Sequence, residues 1–331
     1  MLKLAPILSS HAVFARGKEI RVFGRAEGRV RATFLGEVRE TEAKGGFLLT
    51  FPPRPAGGPY EMTVEAGEEK IVLTDLMIGE VFLFAGQSNM QFKLREAVHG
   101  EEDLVNDPAL RAFHVRQLEG EDDFDGTWNP MTRENSLNWS AVASFVSRMR
   151  KAEKGVAVGA LCLYQGAAVI QSFLSPAALR PFVFRPEEMH PDHTHEIYSL
   201  WNGPSCLYRE MVLPVTPYAL TGAIWYQGES NTSPAEGRRY KDMLEALIGE
   251  WRALFCDPGL PFVIVRINDF LTPFSKEGWK LVQEGEKAAA RETPGCALVE
   301  ISDLGEHELI HPTNKRDLSI RAVRALRGLV P

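Results

Sequence analysis

Cysteine is scarce in this chain. Cys162, Cys206, Cys256 and Cys296 are its only four among 331 residues. They stand far apart, which excludes a C-x-x-C redox pair and the common structural zinc patterns and leaves buried free thiols as the default. Basic runs are missing too. With 37 Lys and Arg against 44 Asp and Glu, the net charge is −7, so a nucleic-acid surface is not expected. No apolar run approaches the roughly eighteen residues a membrane-spanning helix needs. The short apolar patch near the start ends at Pro6 and Ser9-Ser10-His11. That is too short for a signal peptide, so a cytoplasmic location is the expectation. Internal repeats and low-complexity tracts are absent. The one metal-like feature holds His190, His193 and His195. Two of these, His193 and His195, would share a face on a strand, but an exposed loop is the preferred reading over a metal site, and its place between the stretches at 165–173 and 220–232 leaves it room to border a substrate cleft. No metal or organic cofactor is expected.

Several patterns carry structure. Residues 1–75 hold short β-like pieces at 19–23, 30–35, 46–51, 60–65 and 70–73, separated by turn residues. Such spacing predicts a small antiparallel sandwich. From residue 76 onward, longer apolar strands at 156–163 and 261–267 alternate with helical spacing at 140–151 and 238–254. Alternation of this kind predicts a parallel sheet covered on both faces. The expected division is therefore 1–75 and 76–331, with irregular loops at 122–138 and 176–186.

Three segments carry chemistry. In VFLFAGQSNMQF, residues 81–92, an apolar strand breaks at Ala85-Gly86 and presents Gln87 and Ser88. A strand ending in a small-residue turn is where α/β enzymes place a nucleophile. A helix beginning there would point free N–H groups at developing negative charge. Met90 replaces the second glycine of a G-x-S-x-G elbow, and a serine here can equally be a helix N-cap. The second segment is LTGAIWYQGESNT, residues 220–232. Its strand runs into a polar loop with Gln227, Glu229 and Asn231, and amides can donate to an oxyanion without changing charge. In the third, residues 307–326, His311 precedes Pro312 and a predicted helix. Glu308, three residues earlier, is placed to orient the imidazole. Serine first, then acid and histidine near the end, is a known triad order.

Gly86 to Met90, Trp225 to Asn231 and Ile310 to Lys315 read GQSNM, WYQGESN and IHPTNK. In this order they resemble the blocks of the sialate O-acetylesterase-like carbohydrate esterases, a branch of the SGNH hydrolase superfamily. The resemblance covers nearly the whole chain. It implies an α/β fold: a three-layer α/β/α, flavodoxin-like parallel sheet with a small N-terminal β-sandwich domain. It also implies removal of O-acetyl groups from a carbohydrate through an acetyl-enzyme on Ser88, with His311 as the base. The N–H groups of Ser88 and Gly166 would line an oxyanion hole completed by Gln227 or Asn231. Glu229 would hold the loop, and Gln87 belongs to the same substrate-side set. Two departures stand out. The glycine block here reads QGAAVIQSF from Gln165, with one glycine. An aspartate is absent at two or three residues before His311, where Leu309 and Glu308 stand. The third member is then Glu308, Asp303, or a backbone carbonyl supporting a Ser–His dyad. Sialic acid would call for an arginine (Arg95, Arg180, Arg185 and Arg209 are available), whereas acetylated xylan would not. The alternatives are another short-chain ester or thioester hydrolase on the same fold, or a non-catalytic carbohydrate-binding protein.

Overall fold

The computed structural model describes residues 1–118, 126–271 and 275–330. The N-terminal part consists of β1 (Lys3–Leu4), β2 (Val13–Ala15), β3 (Ile20–Phe34), β4 (Glu37–Phe51), β5 (Gly57–Ala66) and β6 (Glu69–Gly86). The pieces expected at 19–23 and 30–35 are one strand. Strand β3 pairs with β4 without interruption from Ile20↔Phe51 to Phe34↔Glu37. The polar stretch between the apolar ends had suggested a turn, but its side chains are largely exposed and the backbone ladder is indifferent to them.

Strand β6 ties the two parts of the chain together. Its first half pairs antiparallel with β5, from Ala66↔Glu69 onward. Its second half runs parallel to β9 (Val158–Tyr164) and β10 (Gly222–Tyr226). It therefore crosses residues 75 and 76 without a break. The large sheet is completed by β7 (Asp107–His114), β8 (Trp128–Met131), β11 (Phe262–Val265) and β12 (Cys296–Val299). Its order is β8-β7-β9-β6-β10-β11-β12, parallel except for β8. The sequence reading had missed β7, β8 and β12. Part of the loop expected at 122–138 lies outside the described residues, and Trp128–Met131 within it is a strand.

Helices α1 (Ser88–Gln91), α2 (Ala141–Lys154), α3 (Ile170–Phe173), α4 (Pro176–Leu179), α5 (Ser199–Asn202), α6 (Pro234–Leu254), α7 (Lys276–Glu292) and α8 (Lys315–Leu329) fill the connections. Alternate residues of β6 feed two cores. Val81, Leu83 and Ala85 pack in a cluster with Tyr240, Met243 and Leu247 of α6 and Val282 of α7. Phe82 and Phe84 pack with Val142 and Val146 of α2 and Leu318 and Ala322 of α8. A period of two on the strand thus serves helices on both faces. From β6 the chain goes to one side through β7 and β9 and to the other through β10, β11 and β12. The carboxyl end of β6 is therefore the point where connections diverge, and crevices for ligands open there in α/β sheets.

Candidate active site

The last residue of β6 is Gly86, with φ of 145°. A Cβ at this position would run into the Tyr226 carbonyl oxygen of the neighbouring strand, so only glycine lets β6 and β10 close up here. Gln87 still bonds the Tyr226 carbonyl, at 3.1 Å, and Ser88 then opens the single turn of α1. Its N–H has no partner among the described residues, as expected of a first-turn donor. His311, in the loop before α8, brings Nε2 to 2.8 Å from Ser88 Oγ. Both residues line a cavity of about 450 Å³ together with Gly166, Gln91, Asp192, Tyr198 and Trp201. Gly166 sits in a turn made tight by Ala167, whose φ is 52°. Its N–H is likewise unengaged among the described residues.

A buried polar network holds the serine and histidine segments together. Asn89 Nδ2 donates to the Ile310 carbonyl at 2.9 Å and to Glu229 Oε1 at 2.6 Å. Lys315 Nζ donates to Asn89 Oδ1 at 2.6 Å and sits over the rings of Phe92 and Tyr226, 4.8 and 5.2 Å from their centroids. The residue after the serine thus grips the residue before the histidine. Burial pushes the Lys315 ammonium down to about 7, against the pull of Glu229 and Glu306. Burial pushes the Glu229 carboxyl up, with Asn89 and the Lys315 charge opposing. His311 is lowered, first by burial and then by the Lys315 charge, with Glu96 pulling the other way. It is therefore a neutral, proton-accepting imidazole at neutral pH.

Other expected residues lie elsewhere than foreseen. Gln227 and Asn231 are fully buried, and neither lines the cavity. Gln227 Nε2 is held by Gln87 Oε1, the Ala168 carbonyl and Asn231 Oδ1. Asn231 Nδ2 is held by Gln171 Oε1 and Glu236 Oε1. With every amide hydrogen committed, neither side chain has a donor for an oxyanion. Gln91 was not singled out from the sequence. It lines the cavity, its amide is unengaged among the described residues, and its Oε1 lies 3.2 Å from where a Cβ on Gly166 would stand. Its position one helical turn after Gln87 was the available signal. Gln87 is on the wall, but its Oε1 accepts from Gln227, from the Gly228 N–H and from the Ser230 N–H. It braces the serine loop against the loop after β10.

Glu308 is not brought to His311. It is exposed, in a turn closed by the Leu309 N–H on the Glu306 carbonyl at 2.9 Å. The carboxylate that organises this loop is Glu306, which accepts from the Thr313 N–H, the Thr313 hydroxyl and the Asn314 N–H. Asp303 is engaged by Arg321 at 2.6 and 2.7 Å. Among the described residues no carboxylate hydrogen-bonds His311. In the histidine cluster, His193 pairs with Glu236 at 2.7 Å and His195 stacks on Tyr198 with centroids 4.0 Å apart.

The chain is similar to known proteins in both sequence and structure. The chain is 25% identical to a human sialate O-acetylesterase over 336 residues, covering 90% of this chain and 63% of that protein. It thus spans less than two thirds of the curated relative's length. A carbohydrate acetylesterase structure from Xanthomonas citri matches with a TM-score of 0.87 and 28% identity, covering 99% of this chain and 75% of that one. A protein from Arabidopsis thaliana shares the fold, with a TM-score of 0.51 at 15% identity, covering 76% of this chain and 99% of that one. Residues 78–320, from β6 to α8, match the family described as carbohydrate esterase, sialic acid-specific acetylesterase, and the chain belongs to that family.

Proposed function

We propose that the protein is a serine esterase that removes O-acetyl groups from a carbohydrate. The observation that carries this reading is the 2.8 Å contact between His311 Nε2 and Ser88 Oγ inside a cavity at the end of β6. Ser88 Oγ attacks the acetyl carbonyl carbon while its proton passes to His311 Nε2. The charge that develops on the carbonyl oxygen meets the N–H groups of Ser88 and Gly166, with Gln91 as the amide beside them. A half-turn of its last torsion presents NH₂ in place of oxygen. The bond to the sugar oxygen then breaks, and His311 returns the proton to that oxygen. Water attacks the acetyl carbon and gives a proton to His311, which returns it to Ser88 Oγ as the bond to the acetyl group breaks, and acetate leaves.

Ser88 and His311 act in this reading as a dyad. The Asn89 bond to the Ile310 carbonyl holds the imidazole in place, and burial keeps it neutral and basic. The fold that supports the site is read as a three-layer SGNH-type α/β/α unit from residue 76, with the N-terminal strands as a sandwich-like domain. The test is acetate release by the wild type and Ser88→Ala from a chromogenic acetate and from acetylated sugars. Release that survives the substitution overturns the nucleophile assignment.

A further inference from the structure

We propose that the cavity takes an uncharged acetylated sugar and disfavours acetylated sialic acid, with Asp192 accepting hydrogen bonds from sugar hydroxyls; this rests on the esterase reading above. The wall has the wrong charge for an anionic sugar. Among the described residues lining the cavity there is no lysine or arginine. Residues 119–125, 272–274 and 331 add none, since their sequences contain neither. Arg95, Arg180, Arg185 and Arg209, the candidates for binding a sialic acid carboxylate, are all absent from the wall. Lys315 lies behind it, fully buried, with Nζ committed to Asn89.

What faces the substrate is acidic and aromatic. Asp192 keeps its side chain one-fifth exposed. Its Oδ2 accepts from the Ser230 hydroxyl at 2.6 Å, and Ser230 Oγ accepts from Gln87 Nε2 at 3.2 Å. The carboxylate is therefore fixed, through two hydrogen bonds, to the residue preceding the nucleophile. Oδ1 has no partner among the described residues and is left for a ligand. Burial raises the Asp192 carboxyl, but hydrogen bonding from His190 and Ser230 outweighs it and holds the group below the ordinary range, so it is anionic at neutral pH. Glu229 belongs to the same wall but is buried, its Oε2 sealed and without a partner among the described residues. An anionic carboxylate accepts from neutral hydroxyls and repels a carboxylate. Beside it Tyr198 lies between His195 and Trp201, 4.0 and 5.6 Å between centroids. Tyr198 and Trp201 thus add apolar wall beside the carboxylate.

The experiment compares acetate release from a neutral O-acetylated xylo-oligosaccharide, a 9-O-acetylated sialoside, and the same sialoside with its sugar carboxylate as a methyl ester. A unit charge at about 6–8 Å from Asp192, at an effective dielectric near 20, corresponds to roughly 30- to 100-fold in kcat/KM. The expected result is a kcat/KM at least tenfold higher on the xylo-oligosaccharide than on the free sialoside. Most of that deficit should be recovered on the methyl ester, and added salt should raise the rate on the free acid alone. In Asp192→Asn the ratio of neutral to anionic substrate should fall by roughly the same 30- to 100-fold, whereas a merely structural role would lower both rates together. A rate on the free sialoside equal to or above that on its methyl ester overturns the inference and leaves the esterase reading standing. Serine-dependent release from the chromogenic acetate but from neither sugar also overturns it. Absence of serine-dependent release from every substrate overturns both.

Discussion

Lys315→Met tests whether the lysine beneath the active site is as poorly solvated as its surroundings imply. Folded, the ammonium gives up its proton at about 7; its ordinary value is 10.5. Between those values the unfolded chain holds a proton that the folded chain does not, so stability rises with pH by about 1.4 kcal/mol per unit. From pH 7 to 9.5 that is about 3.4 kcal/mol. For 331 residues the unfolding entropy near the midpoint is about 0.7 kcal/mol/K, so this gain corresponds to about 5 °C in Tm. Methionine fills similar volume without a proton, and the bond lost at Asn89 costs the same at every pH. The Tm of the wild type should therefore climb relative to the variant by about 5 °C across this window in parallel melts. Melting curves that stay parallel would refute the reasoning. They would mean that the rings of Phe92 and Tyr226 and the Asn89 carbonyl hold the ammonium charged throughout.

The other predictions concern catalysis. Glu308→Ala should leave kcat/KM within about threefold, well under the tenfold that about 1.4 kcal/mol of barrier represents; a larger loss on a chromogenic acetate would restore Glu308 as the orienting acid. Because burial and Lys315 lower His311 below 6.5 and the base must be unprotonated, the acid limb of kcat/KM should have its midpoint below pH 6.5. A limb centred above that value contradicts the assignment. Gln91→Ala should lower kcat by roughly 100-fold with little change in KM, the pattern for a donor engaged in the transition state. Gln227→Ala should instead show its main effect as a lower Tm, because that amide braces buried loops.

Which residues were legible follows from how local their physics is. Ser88 could be read because an apolar strand, a glycine turn and a polar residue lie within one short segment, and the turn dictates where the serine points. His311 followed because its loop must cross the end of the sheet before α8 begins. Gln227 and Asn231 misled for a different reason. A sequence gives an amide's chemistry but not its direction, and these two face inward to Gln87, Tyr240 and Glu236, partners on the serine loop and α6. The same long-range logic displaced Glu308. Sequence spacing put it near the histidine, but Glu306 reaches forward to Thr313 and Asn314 and turns the chain so that Glu308 faces solvent. The long β3 was hidden because apolar alternation stops where its middle faces water, although its ladder to β4 does not stop. In each case the missing information was which buried donor finds which buried acceptor. That pairing is fixed only when the sheet closes, because an unpaired polar group inside costs about 1–3 kcal/mol. The same constraint separates the two kinds of amide at this site: those sealed behind the wall are committed to one another, and Gln91, which lines the cavity, has its amide unengaged among the described residues.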